Sequence, residues 1–129
     1  MGHIFAEIKL SNPRNPNLTP VIVSALADTG ALMLCIPEHI AIQLDLEMES
    51  KREVTVADGR SMTVPYVGPV KVEFRDRFCY VGALMLGDEV LLGAVPMEDM
   101  DLVLSPSRRE ITVDPGSPNI PHARVKFQR

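Results

Sequence analysis

A chain of 129 residues is long enough for one domain with its own core and too short for two lobes closing a site between them. Hydrophobic residues make up 46% and charged residues 23%, which excludes disorder, collagen and coiled coil as descriptions of the whole chain. The net charge is −4 with no long basic stretch, which argues against nucleic acid as a partner, because that binding rests on clustered Lys and Arg. The basic end, Arg124 to Arg129, with Arg108 and Arg109 upstream, reads as a solvated tail.

Residues 3–10 alternate. Ile4, Ala6, Ile8 and Leu10 share one face, with Glu7 and Lys9 on the other, so the period of two predicts a half-buried strand. Residues 11–20 hold three prolines and three asparagines and read as a loop. Residues 21–27 are an apolar run, expected to be a strand buried on both faces. Asp28-Thr29-Gly30 interrupts it, and residues 31–36 are apolar again.

Pro37 is suited to opening a helix, and Ile40, Ala41 and Leu44 give it a short apolar stripe. Val54, Val56, Met62 and Val64 flank Asp58-Gly59, a strong hairpin signal. Val70, Val72 and Phe74 alternate with Lys71, Glu73 and Arg75 as a separate strand. Asp76-Arg77 turns the chain and residues 78–86 return. Residues 90–92 form a short strand ending at Gly93. Residues 96–100 read as a short helix, with Glu98 and Asp99 at its N-terminal end. Residues 102–104 and 111–113 are short strands around a turn. Pro115-Gly116-Ser117-Pro118 ends regular structure and leaves 115–129 as a loose tail. Several short strands spaced by turns must hide their edges, so the expected fold class is all-β, a closed barrel-like sheet with one or two short helices.

Asp28-Thr29-Gly30 fits a purely structural reading poorly. Asp, Thr and Gly all favour turns, yet here a carboxylate stands between two apolar segments, and a buried carboxylate is costly unless partnered. In this setting the chain resembles the small retroviral-protease-like (retropepsin) aspartic proteases. Their signature, a hydrophobic strand followed by Asp-Thr-Gly-Ala, matches Ala27-Asp28-Thr29-Gly30-Ala31. Their second element, two apolar residues and a glycine before a short helix, matches Leu91-Leu92-Gly93. Their flap hairpin falls where residues 54–64 stand, with Asp58-Gly59 at the tip. The resemblance spans about residues 4–114.

The resemblance implies a retropepsin (acid protease) fold over residues 1–114, with 115–129 as a proline-rich basic tail. It implies an aspartic endopeptidase in which two carboxylates activate a water. Asp28, Thr29 and Gly30 form the catalytic loop. Ala31, Val56, Ala57, Asp58 and Gly59 bind substrate, and Leu91, Leu92 and Gly93 support the loop. No cofactor or metal is implied. The chain has one Asp-Thr-Gly and no Asp-Ser-Gly, so the second carboxylate must be Asp28 of another copy in a C2 homodimer. The expected partners are that copy and a peptide or protein substrate, with no nucleic acid and no membrane.

The chain departs from the family pattern at Leu32 and Met33, where many relatives are polar, and at Ala94, where retroviral members carry a basic residue. The flap tip holds a single glycine. The alternative reading is a catalytically silent dimerisation or peptide-binding module on the same fold.

Other features carry less. His3, His39 and His122 show no metal-ligand spacing. Cys35 and His39 are four apart, but catalytic Cys–His partners usually come from separate elements. Cys35 and Cys79 sit in apolar runs and read as buried free thiols, which fits a reducing compartment. Without a basic leader or a long apolar span, the expected location is cytoplasmic.

Overall fold

The computed structural model describes residues 3–126. Met1 and Gly2 of the N-terminal reading, and Phe127 to Arg129 of the basic tail, lie outside the described residues.

The chain order is β1 (Phe5–Ser11), β2 (Val21–Ala27), β3 (Leu34–Ile36), α1 (Glu38–Gln43), β4 (Glu47–Thr55), β5 (Ser61–Phe74) and β6 (Arg77–Met85). Then come β7 (Leu91–Leu92), α2 (Ala94–Asp99), β8 (Leu102–Ser105) and β9 (Glu110–Val113). Seven strands form one sheet in the order β1-β2-β7-β3-β6-β5-β4, and β1 also pairs with β5. That extra pairing closes six of the strands into a ring. Those six strands thus form a barrel without free edges, while β4 stays outside the ring, paired on one side only, with β5.

β5 makes the closure possible. One of its edges runs against β6. The opposite edge pairs first with β4, over Ser61 to Gly68, and then with β1, over Lys71 to Glu73. The strand is therefore continuous over 14 residues, where the sequence suggested two separate strands. Pro65 and Pro69 masked this, because proline lacks the ladder N–H and normally marks strand edges or interruptions. The β5–β6 register shifts between Val67 and Val70, which places Pro69 at an irregularity.

The alternation in β1 is realised, with Ala6, Ile8 and Leu10 buried. β2 differs from expectation. Val21, Val23 and Ala25 turn inward, but Ser24 is exposed and Ile22 is 64% exposed. β2 is a wall strand of the barrel with one face on the core and one outside, so its apolar run does not signal burial on both faces. Ile8, Leu10, Leu34, Ile36, Val72 and Leu92 are fully buried and centre the core. Burying each such side chain contributes about 1.5–3 kcal/mol.

α1 begins after Pro37 and buries Ile40 and Ala41. α2 begins at Ala94, directly after Gly93, rather than at Pro96. Pro96 falls within its first turn, where a missing N–H costs nothing. Glu98 and Asp99 therefore occupy the C-terminal half of the helix, not its N-terminal end. β8 and β9 pair as a small separate sheet.

Residues 115–126 contain no strand or helix, but they are tied down. Asp101 accepts hydrogen bonds from the Ser117 hydroxyl and the His122 amide. Arg77, only 2% exposed, donates to the carbonyls of Met100, Asp101 and Ser117. The sequence placed Arg77 in a turn. The turn is in fact Arg75-Asp76, and Arg77 is the first residue of β6, pointing inward.

Candidate active site

Asp28 follows the last residue of β2. β2 runs parallel to β7, with Ala27 opposite Leu92, and the Asp28 amide continues the ladder by donating to the Leu92 carbonyl at 3.0 Å. The chain then turns sharply. The Ala31 amide donates to the Asp28 carbonyl at 3.1 Å, and the Gly30 amide donates to Asp28 Oδ1 at 2.9 Å. An aspartate side chain that holds its own turn is the usual reason for Asp at such a position. Here it also fixes where the carboxylate points.

The segment beyond the turn is clamped by the start of α2. The Ala94 and Val95 amides donate to the Ala31 and Leu32 carbonyls, each at 2.8 Å. Gly93 makes this approach possible, since a Cβ there would collide with the backbone of Ala31 and Met33. Leu92 is fully buried beneath. Leu91, Leu92 and Gly93 thus lie under and behind the Asp28 turn.

Asp28 is half-buried, while Thr29 and Gly30 are exposed. A buried carboxylate between two buried strands is therefore not what the chain builds. Asp28 opens onto a cleft of about 730 Å³. Ala31, Met33, Cys35, Leu84, Leu86 and Leu91 form part of its lining, and Arg52 to Ala57 of the β4–β5 hairpin form another part.

The hairpin tip closes with the Val56 amide donating to the Arg60 carbonyl and the Gly59 amide to the Val56 carbonyl, both at 2.9 Å. Gly59 has φ 87°, the left-handed conformation that a three-residue hairpin loop requires. Asp58 is fully engaged at the tip. Its Oδ1 accepts from the Arg60 amide at 3.0 Å, and its Oδ2 pairs with Arg60 Nε at 2.6 Å.

Of the residues singled out from sequence, Asp28, Gly30, Ala31, Val56, Ala57 and Leu91 share the cleft. Thr29 lies on the exposed rim of the loop, and Asp58 and Gly59 stay at the hairpin tip. Sequence reasoning missed Arg52, Cys35, Leu84 and Leu86. Cys35 read as a buried free thiol, and no pattern in the sequence singled out Arg52, Leu84 or Leu86. Burial, and secondarily the Asp28 charge, pushes the Cys35 thiol above its ordinary pKa, so it stays a neutral wall of the cleft.

The charged residues along the cleft are Asp28, Arg52 and Glu53. Glu53 sits on the opposite face of β4 from its neighbours Arg52 and Val54, since strand side chains alternate. Among the described residues, one chain therefore offers a single carboxylate on the cleft floor.

No family model matches the chain, and no curated protein matches it. Among solved structures, the chain is similar to the retroviral protease-like domain of Ddi1 from Leishmania major, with a TM-score of 0.54 and 14% identity over 92% of this chain and 93% of that one. Simian foamy virus protease aligns at a TM-score of 0.48 and 19% identity, over 72% of this chain and 90% of that one. The fold is a retropepsin-like barrel, as the likeness to the Ddi1 domain supports. At these identities the likeness establishes the fold alone.

Proposed function

We propose that the chain is one half of an aspartic endopeptidase and that its active form is a homodimer in which two Asp28 carboxylates face each other across the two-fold axis. The observation that carries this reading is the single carboxylate, Asp28, held by its own turn on the floor of an apolar cleft, with Thr29, Gly30 and Leu32 exposed beside it. A lone carboxylate cannot serve as general base and general acid at once. A second copy supplies the missing partner, because an isologous interface brings each residue to its own mate. The exposed Thr29 suits such a contact.

In the pair, the two carboxylates share a proton, since close like charges do not both ionise. The ionised one accepts a proton from a water held between them. The protonated one donates to the carbonyl oxygen of the scissile peptide. The water oxygen bonds to the carbonyl carbon. The C–N bond then breaks as the nitrogen takes the proton that the first carboxylate gained from the water, and a hydroxyl of the diol returns a proton to the other carboxylate. The β4–β5 hairpin is the flap. An extended peptide between it and the floor would pair with strand backbone, and its side chains would fill the apolar cleft.

The test is cleavage of a peptide library from acid to neutral pH by the wild type and by Asp28→Asn. Cleavage by the wild type alone is expected. Equal cleavage by both would exclude Asp28 as the catalytic group, and binding without cleavage would favour a silent peptide-binding module.

A further inference from the structure

Arg52 stands at the root of the hairpin. Arg52, Val54 and Val56 share one strand face, as the period of two requires. Their cross-strand neighbours are Val64 opposite Arg52 and Met62 opposite Val54. Arg52 is turned toward the cleft by two contacts. Its guanidinium carbon lies 4.2 Å from the centre of the Tyr66 ring, and Nη1 lies 3.6 Å from the Met33 sulfur.

Neither contact neutralises it. Among the described residues Arg52 has no carboxylate partner, although Arg14, Arg60, Arg77 and Arg108 each have one within 4.0 Å. Most of its N–H groups are unused by protein. A guanidinium held over an aromatic ring with free donors is a fork for a carboxylate.

Its place in the cleft adds a second observation. Leu32, Met33 and Arg52 line both the main cleft and an adjoining groove of about 370 Å³ that continues past Tyr66 to Tyr80. Arg52 is the only cation shared by these two lining sets. A peptide whose apolar side chain fills the cleft would carry a nearby side chain to this junction.

We infer that Arg52 is a specificity-determining residue, selecting peptides that carry an Asp or Glu side chain close to the apolar residue seated in the cleft. The inference rests on the reading of the cleft as a peptide-binding site. It assigns to that site a substrate class, apolar beside acidic.

The test separates recognition from catalysis. The 129-residue chain carrying Asp28→Asn is expected to bind without cutting, so it is used to select from a library of extended peptides. The same selection is repeated in chains also carrying Arg52→Gln, Arg52→Lys or Arg52→Glu, each checked for an unchanged melting transition. Enrichment of Asp or Glu at one position is expected with Arg52. Exchanging that residue for Gln or Asn should weaken binding about tenfold, the size of one charge-assisted hydrogen-bonded contact.

The preference should weaken in Arg52→Lys, vanish in Arg52→Gln and turn toward Lys or Arg in Arg52→Glu. An unchanged profile in Arg52→Gln, absence of acidic enrichment, or no peptide bound at all would overturn the inference. Cleavage by the wild type is scored separately. Loss of the protease reading with an intact Arg52-dependent preference would leave the inference standing.

Discussion

Gly93 meets Met33 so closely that a Cβ at position 93 would stand 2.7 Å from the Met33 nitrogen. The same Cβ would stand 2.8 Å from the Ala31 carbonyl oxygen. All these neighbours are backbone, so no side chain can swing aside. Gly93→Ala should therefore destabilise the fold by about 1–3 kcal/mol, the usual cost of overpacking. It should also move the Asp28 turn, because the 31–33 segment must give way. Urea denaturation checks the first effect, and activity of the still-folded fraction checks the second.

Arg77 anchors three carbonyls from a nearly dry position. Its removal would leave those acceptors short of donors and open space beside β6. Arg77→Ala is expected to cost about 2–4 kcal/mol, measured by chemical denaturation. The loss should exceed that of Arg75→Ala, since Arg75 is an exposed turn residue.

Asp101 ties the C-terminal segment down, and its carboxyl is held below the ordinary aspartate range. The Ser117 hydrogen bond is the main cause, followed by the His122 amide. A depressed folded pKa means the tether is fully present above the unfolded value, near pH 4. It is lost as the pH falls through the lower folded value. The His122 amide resonance should therefore titrate below the ordinary aspartate range. Asp101→Asn should remove that titration.

Cys79 is 3% exposed, and its thiol is pushed up to about 12 by burial, with the Asp99 charge adding to it. The thiolate is the reactive form, so alkylation of Cys79 near pH 8 is expected to be very slow in the folded protein. Mass spectrometry with and without denaturant measures this. Rapid labelling of native Cys79 would contradict its placement.

The alternation in β1 and the apolar stripe of α1 were readable because each contrasts a buried with a solvated face. The Asp58-Gly59 turn was readable because its backbone requires those residues. β4 was harder. Most of its side chains are exposed in a projecting hairpin, so it carries little hydrophobic period beyond Val54. The two prolines hid the continuity of β5, which is set by a closure between distant strands. Arg77 and Arg52 were invisible for a related reason. Arg77 is defined by carbonyls 23, 24 and 40 residues away. Arg52 acquires its place only when Tyr66 and Met33 come together around it. The turn at Asp28 was legible in residues, but its exposure on a cleft floor was not.

In the proposed dimer one chain holds half a site. Mixing wild type with Asp28→Asn at constant total concentration, with full exchange of partners, tests it most directly. Because a mixed pair has only one carboxylate, activity should follow the square of the wild-type fraction. An equal mixture should then retain about one quarter of the activity. Activity falling in direct proportion to the wild-type fraction would mean that each chain works alone, and would contradict a site shared across the two-fold axis.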